Sequence, residues 1–375
     1  MGQLSGRFYV EKETFAPGEP VFLYFELINN GGSTLKVVRA DPYSFCSGYL
    51  IRVSSDEKPT SSCGFMGWAG SCMSSDVQLK PGQTRIERIL LNFEHNLRSA
   101  GDYDIDARRS LPYDEIGVQF PGPNSPKLDV EAQMHIRIDP GASFDPHTLD
   151  AFVSRLHSDN SEKQREAART LAALAPKSLE ETLLAFANDP QLKYFAPLAL
   201  HNLNTPRSMS ALADLLRKSK IGTSEHMDSA KYLAESGDPQ WFPLLLEVAE
   251  KKPTIDSYVD DAAELGGAKM LPYLLAWMQS SDTDFTRPNA VAAMGYTGSR
   301  EAIPELIELL KSPDLSVAQR AQCGLRQLTH MSSGGDQEIE HPGAQYSRWL
   351  QWWAVNGSSA QVYKASECGE VRPLL

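Results

Sequence analysis

The feature that most constrains the fold is an apolar stripe that repeats through the second half of the chain. From about Asp145 onwards, apolar residues recur at the i, i+3, i+4, i+7 spacing of one helix face. Six such stripes begin 29 to 33 positions apart, at Leu149, Leu179, Met209, Phe242, Leu271 and Ile303. Further helical segments lie between stripes, such as SEKQREAARTLAAL at 161–174. Because each helix pair buries its apolar face only against neighbouring pairs, the period predicts a six-unit α-solenoid over residues 145–331.

The residues that would end and begin helices between the stripes agree with this prediction. Residues that tolerate a left-handed backbone stand five positions before the last four stripes: Asn204, Gly237, Gly266 and Gly298. Pro243, Pro272 and Pro304 directly follow three of the leading residues, where a proline in the first turn of a helix costs little. These positions predict that a helix ends at a left-handed residue before each of the last four stripes, and that three of the next helices begin near a proline.

The first 140 residues carry the period of two that is typical of strands. Val21, Leu23, Phe25 and Leu27 alternate with residues of the opposite face. Similar short runs occur at Phe8–Val10, Leu35–Val38, Leu50–Val53, Arg85–Leu91, Tyr103–Ala107 and Leu128–Ile138, separated by Pro-Gly and Asn-Gly turns. The pattern predicts an immunoglobulin-like antiparallel β-sandwich over residues 1–140. The fold class is thus multidomain, all-β followed by all-α, with a loop and a Trp-rich cap over residues 332–375.

Two resemblances to known families support these domains. The segment GYTGSREAIPELIELLKSPDLSVAQRAQCGLRQL at 295–328 resembles the HEAT-repeat superfamily, in particular the short bacterial repeats also found in phycobilisome-lyase-like proteins. The segments FAPGEPVFLYFELINN at 15–30 and LKPGQTRIERILLNF at 79–93 resemble bacterial immunoglobulin-like domains of secreted proteins and of BsuPI-type proteinase inhibitors. The first resemblance implies a solenoid whose second helices line a concave surface, and both imply a bacterial source.

Composition and motifs narrow the function classes. The 36 basic and 48 acidic residues give a net charge of −12, which makes nucleic acid an unfavourable partner. The apolar runs are far shorter than the roughly 20 residues of a membrane-spanning helix. No nucleophile elbow, phosphate-binding loop or metal-ligand spacing occurs, so neither an enzyme nor a cofactor nor a metal is predicted. Asp102, Asp104 and Asp106 share one strand face, but they lack the Gly and Glu that a calcium loop requires.

The cysteines bear on the cellular compartment. Cys46, Cys63 and Cys72 lie close together in a Ser- and Gly-rich stretch, while Cys323 and Cys368 lie near the C-terminus. The sequence suggests a Cys63–Cys72 or Cys46-to-loop disulfide and a Cys323–Cys368 disulfide, which would suit an oxidising compartment. We therefore favour an exported protein, periplasmic or secreted, although this chain begins without a signal peptide. A reduced, cytoplasmic protein is the alternative.

Two places are candidate binding sites. Asp256, Asp260, Asp261 and Glu264 fall on the second helix of the fourth unit, and three of these acids share one stripe at i, i+4 and i+8. A basic partner could dock there, with solvated surface acids as the alternative. Phe65 and Trp68 lie between Cys63 and Cys72, where an exposed aromatic loop would form a binding tip.

The sequence predicts a non-enzymatic protein–protein interaction or scaffolding role. A protein or peptide partner would bind the concave face of the solenoid and the loops of the sandwich. One alternative is a proteinase inhibitor that acts through the N-terminal sandwich, which the BsuPI-type resemblance implies. A second alternative is a lyase-like modifying enzyme, which the phycobilisome-lyase-like resemblance implies.

Overall fold

A computed structural model describes residues 3–39, 48–55, 75–93, 95, 97–115, 125–145, 147–251, 256–280, 286–332, 342–357, 359–364 and 372–373. The described residues form two compact units. One unit contains the described residues up to Pro176, and the other contains those from Lys177 onwards.

The described residues of the first unit form nine strands in two sheets. They are β1 (Leu4–Val10), β2 (Thr14–Phe15), β3 (Phe22–Asn29), β4 (Leu35–Arg39), β5 (Tyr49–Ser55), β6 (Ser75–Leu79), β7 (Thr84–Leu90), β8 (Gly101–Glu115) and β9 (Lys127–Ile138). One sheet has the order β1-β3-β7, and the other has the order β2-β9-β8-β4-β6 with β5 also paired to β8. The predicted β domain is therefore present, and its inward side chains, such as Leu23, Phe25 and Ile105, are almost completely buried.

The strand predictions were incomplete in three respects. β2 and β6 were not predicted, and β8 is longer than the predicted run. The predicted antiparallel pairing holds for the other strand pairs of these two sheets, whereas β2 pairs in parallel with the end of β9 through two residues only. The chain passes from one sheet to the other between Val10 and Thr14. It then runs in the same direction as β9, so that β2 and β9 pair in parallel.

A buried ion pair lies between the sheets. The Arg109 guanidinium packs over the rings of Phe25 and Tyr49, at 4.6 and 4.2 Å from their centroids. Its Nη1 donates to Glu87 Oε2 at 2.8 Å, and the Tyr49 hydroxyl donates to the same oxygen at 2.6 Å. Although burial opposes ionisation, the Arg109 guanidinium holds the pKa of Glu87 below its ordinary value. The inner face of β7 is fixed in place by these contacts.

The first helix pair, α1 (His147–Arg155) and α2 (Ser161–Leu174), belongs to the same unit as the sheets. Phe152 of α1 stacks on Phe22 of β3, with ring centroids 6.4 Å apart. Glu166 of α2 forms an ion pair with Arg88 of β7. Asn160 caps α2 by accepting from the backbone amides of Glu162 and Lys163, as an N-cap residue does. The outer face of the three-stranded sheet therefore covers the first apolar stripe.

The second unit continues the helix pairs. They are α3 (Glu180–Ala185) with α4 (Ala196–Leu203), α5 (Pro206–Lys218) with α6 (Ser224–Glu235), α7 (Phe242–Lys251) with α8 (Asp256–Gly266), α9 (Leu271–Ser280) with α10 (Thr286–Tyr296), and α11 (Ala302–Leu309) with α12 (Leu315–Thr329). The second helices pack in sequence, α4 on α6, α6 on α8, α8 on α10 and α10 on α12. With α1 and α2, these helices follow the predicted six pairs, and the α-solenoid prediction is confirmed.

Three of the four predicted left-handed closures are correct. Asn204, Gly237 and Gly298 have φ angles of 48°, 60° and 59°. The prediction for Gly266 was wrong, because α8 includes this residue, whose φ is −80°. Gly267 adopts the left-handed conformation instead, with φ 60°. The helix thus ends one residue later than the sequence spacing indicated.

The helix α13 (Pro342–Asn356) packs against α11 and α12. Trp349 is completely buried, and Trp352 lies edge-on to it, with the two ring centroids 5.5 Å apart. Tyr346 donates a hydrogen bond to Glu308 of α11 at 2.8 Å. α13 therefore covers the apolar side of the last helix pair. Two short strands, β10 (Met331–Ser332) and β11 (Arg372–Pro373), pair in parallel, and β10 contacts α12.

Candidate functional site

The predicted acidic residues lie on α8, which packs between α6 and α10. α8 begins at Asp256, whose side chain lies outside the described residues. On this surface the three second helices present carboxylates and tyrosines, none of them fully buried. We name as the acidic face the surface formed by Asp228, Tyr232, Glu235, Tyr258, Asp260, Asp261, Glu264 and Tyr296.

Two of the three carboxylates of α6, Asp228 and Glu235, are held in an environment that disfavours their charge. Burial raises the pKa of Asp228 above its ordinary value, and the negative charges of Glu225 and Glu235 raise it further. Burial likewise raises the pKa of Glu235, opposed by the neighbouring Lys231. Carboxylates raised by burial and by like charge are typical of binding and catalytic sites.

The electrostatic coupling extends from α6 to α8 and α10. Burial raises the pKa of Asp261 on α8, and the negative charges of Glu235 on α6 and Glu264 on α8 add to the effect. Tyr296 of α10 also has a raised pKa, first through burial and then through Asp260 and its acidic neighbours on α8. Three successive helices therefore contribute to one continuous negative field.

Basic side chains lie beside part of this field, and Arg320 opposes the rise in the pKa of Tyr296. Lys231 Nζ lies 3.7 Å from Glu235 Oε1, and Lys193 Nζ lies 3.3 Å from Glu225 Oε1. Among the residues that the structure describes, neither Asp228 nor Asp261 forms a salt bridge. The acidic face thus keeps negative charge that a bound cation would offset.

Aromatic rings lie among these carboxylates. The Tyr232 ring stacks on the imidazole of His201 from α4, with centroids 4.7 Å apart and an interplanar angle of 21°. His201 Nε2 lies 3.9 Å from Glu235 Oε2. Burial raises the pKa of Tyr258, and the negative charges of Asp228 and Asp261 raise it further. A tyrosine ring next to a carboxylate can receive an arginine or lysine side chain by cation–π contact and ion pairing together.

The sequence located only part of this surface. The structure brings Asp260, Asp261 and Glu264 together with Asp228 and Glu235 of the preceding repeat, which sequence analysis missed. A signal was present, because Asp261 stands 33 positions after Asp228, the same spacing that separates the stripes at Met209 and Phe242. The three tyrosines were missed because a ring on an amphipathic helix is read first as core.

The other candidate residues give a mixed outcome. Phe65 and Trp68 lie outside the described residues, as do Cys46, Cys63, Cys72 and Cys368. Cys323 of α12 is a free, exposed thiol, so the predicted Cys323–Cys368 disulfide finds no support. A disulfide among the other cysteines stays a prediction.

The strand carboxylates at Asp102, Asp104 and Asp106 do share one solvent-facing side of β8. Asp102 accepts two hydrogen bonds from Arg137, at 2.9 and 2.8 Å, and His135 contacts both Asp102 and Asp104. These contacts describe a surface ion-pair network between β8 and β9. In the described part of the chain, no group of three or more His, Cys, Asp or Glu residues is placed to hold a metal ion. None of the described helices is both long and apolar enough to cross a bilayer.

Comparisons with known proteins bear on the helical part. The family model of HEAT repeats matches residues 149–222, and that of PBS lyase HEAT-like repeats matches residues 287–312. No curated protein matches the chain. Among solved structures, Salmonella alpha-2-macroglobulin reacted with methylamine is similar at 12% identity and a TM-score of 0.19. A mutant of that protein gives 10% identity and a TM-score of 0.20.

Both alignments cover 86% of this chain, which spans only 26% of the length of the Salmonella chains. A TM-score this low carries no argument about fold or function. The two family matches, in contrast, fall on observed helices, the first from α1 to α5 and the second on α10 and α11. The helical part of the chain therefore contains segments that match HEAT-repeat models, and a β domain precedes it.

Proposed function

We propose that this protein is a non-enzymatic scaffold whose acidic face binds a basic, arginine- or lysine-bearing segment of a partner protein. HEAT repeats generally mediate protein–protein interaction, and stacked second helices offer an extended surface for it. The observation that carries the proposal is the pairing of carboxylates that lack salt bridges, Asp228 and Asp261, with partly buried tyrosines on adjacent helices.

A basic partner would bind because it stabilises the charged carboxylates of the acidic face more than water does in the unbound protein. A carboxylate that is partly buried beside other carboxylates is unfavourable in the unbound protein. A guanidinium placed between Asp228 and Asp261 would offset that cost and stack on a tyrosine ring in the same pose. Because the net charge of the chain is also negative, a basic partner would be attracted before contact.

We further propose that the β domain is an immunoglobulin-like sandwich and that the protein functions in an exported compartment of a bacterium. Two sheets of short strands support the first point. The resemblance of residues 15–30 and 79–93 to bacterial sandwich domains supports the second. Fractionation of the source cells, with immunodetection of the protein, tests the location.

The experiment for the binding function is fluorescence anisotropy of the full chain with labelled peptides. Arginine-rich and lysine-rich peptides should bind, and an acidic peptide of the same length should not. The double variant Asp228→Asn and Asp261→Asn should weaken binding of the basic peptides by about tenfold or more. The affinity should also fall as salt is added, since part of the attraction is between exposed charges.

The matched control is Glu305→Gln, which removes one exposed carboxylate from α11, a first helix outside the acidic face. This variant should leave peptide affinity nearly unchanged. If the double variant and the control bind the basic peptides equally well, the acidic face is not the binding site.

A further inference from the structure

The outer edge of β7 carries unpaired backbone groups. β7 pairs only with β3 among the described strands. At the two ends of this pair, Leu91 N donates to Val21 O and Asn29 N donates to Gln83 O. These bonds show that the odd-numbered residues of β7 turn their N–H and C=O groups towards β3. The even-numbered ones therefore turn theirs away from β3, and Thr84, Ile86 and Arg88 are the ones that lie along the open part of the edge.

The side chains of β7 divide in the same way. Thr84 and Ile86 lie on the outer face and are exposed, and the Ile86 side chain is large and apolar, with 50% of the residue accessible. Arg85 and Glu87 lie on the inner face, where Arg85 Nε donates to Glu87 Oε1 at 3.2 Å. The strand therefore combines an exposed apolar centre with opposite charges on either side of it.

Natural edge strands usually block pairing with other chains by a proline, a bulge, a single kind of charge or a covering element. Within TRIERIL there is neither proline nor glycine, and the register with β3 runs without a bulge from Phe22↔Leu90 to Ile28↔Thr84. The alternating charges would repel neither a neutral strand nor a strand of the same sequence. Among the described residues, β7 thus lacks the devices that keep an edge monomeric.

We propose that the protein dimerises by antiparallel pairing of β7 with β7 of a second copy, with the two-fold axis at Ile86. In this register Ile86 faces the partner's Ile86, and Arg85 faces the partner's Glu87. Thr84 faces the partner's Arg88. The backbone groups that exchange hydrogen bonds are those of Thr84, Ile86 and Arg88, the same three that β3 leaves free.

The sequence of the strand favours this occupant because it is complementary to itself. The central pair joins two apolar β-branched side chains, which stabilise a sheet. On either side of it Arg85 lies opposite a Glu87 whose carboxylate already accepts from Arg85, Arg109 and Tyr49 of its own chain, so this pair adds opposite charge without a new buried ion. Two three-stranded sheets would join into one continuous six-stranded sheet. This inference is independent of the acidic face, which lies in the other unit.

The test is sedimentation equilibrium of the full chain with two substitutions at one exposed position. Thr84→Glu places a carboxylate opposite the partner's Arg88, whereas Thr84→Lys places a second cation there. Since each substitution acts twice per dimer, Thr84→Glu should lower the dissociation constant by about two- to thirty-fold and Thr84→Lys should raise it by a similar factor. Circular dichroism of both variants checks that the fold is retained.

Hydrogen exchange locates the interface. Dilution of the wild-type dimer should deprotect the amides of Thr84, Ile86 and Arg88, and Ile86→Lys should deprotect them at every concentration. The inference is overturned if the chain is monomeric throughout the accessible concentration range. It is also overturned if a dimer forms whose dissociation constant is the same for Thr84→Glu and Thr84→Lys, because another surface then mediates it.

Discussion

The crossing of α10 and α12 gives a quantitative test of the repeat packing. A Cβ added to Gly295 would lie 2.5 Å from Gly324 Cα, well inside the 3.5–4.0 Å at which carbon atoms normally contact. A Cβ added to Gly324 would instead meet the end of the Leu306 side chain at 3.1 Å and Gly295 Cα at 3.3 Å. The first contact is with backbone, so only a shift of the whole helix relieves it.

Whether Gly→Ala stabilises or destabilises depends on the balance between helix propensity and overpacking at each site. Replacing Gly by Ala inside a helix stabilises by at most about 1 kcal/mol, whereas overpacking a core costs about 1–3 kcal/mol. Gly295 lies next to the end of α10, where the gain in helix propensity is smallest. Gly295→Ala should therefore lower the free energy of opening α10 and α12 by about 1–2 kcal/mol. Gly324→Ala should change it by less than about 1 kcal/mol in either direction.

The assay is native-state hydrogen exchange of the amides in α10 and α12, because a repeat array opens locally and not in one step. The two variants serve as each other's control, since both add one methyl group at the same crossing. The reasoning is refuted if Gly295→Ala protects these helices as well as the wild type or better than Gly324→Ala does.

Three further predictions follow from buried or charged groups. Trp349→Ala should destabilise the last helix pair by about 3–5 kcal/mol, whereas Leu350→Ala on the exposed side of α13 should cost much less; hydrogen exchange of α11 and α12 compares them, and equal losses would contradict the packing. Asn160→Ala should cost about 1 kcal/mol at the start of α2, measured by chemical denaturation of the first unit, and no loss would contradict the cap. The pKa values of Asp228 and Asp261 are raised in the folded protein, so the folded state binds protons more tightly than the unfolded chain does. These two groups therefore increase the free energy of unfolding as the pH falls from neutral through their folded pKa values, and decrease it as the pH rises. A denaturation series against pH should show this slope in the wild type and a smaller slope in the double Asn variant, and identical slopes would refute the assignment.

The helical part of the fold could be predicted from the sequence because the same apolar pattern occurs six times. Six stripes of period 3.6 at nearly constant spacing leave few arrangements other than stacked helix pairs. The β domain was predicted in outline, but β2 was missed because two residues carry no period. Its parallel pairing with β9 depends on where the chain crosses between sheets, which no local pattern encodes. The left-handed step at Gly267 instead of Gly266 shows how weakly the sequence sets a helix end when two glycines are adjacent.

The candidate site was less predictable than the fold. The i, i+4 spacing identified Asp260 and Glu264 within one helix, because that relation is local. The contributions of Asp228 and Glu235 depend on contacts between successive repeats, which appear only when the helices are stacked. Whether a carboxylate finds a basic neighbour is also a tertiary property. Sequence analysis could therefore find the acids of α8 but not the shared face to which they belong.

The most direct test of the central claim is a quantitative comparison of the proteins retained by the full chain and by its Asp228→Asn, Asp261→Asn variant. Both are immobilised, exposed to an extract of the source cells at physiological salt, and analysed by mass spectrometry, with Glu305→Gln as the control. The account predicts that partners with basic segments are retained by the wild type and by Glu305→Gln and are lost from the double variant. Retention of the same proteins by all three would contradict a scaffold that acts through its acidic face.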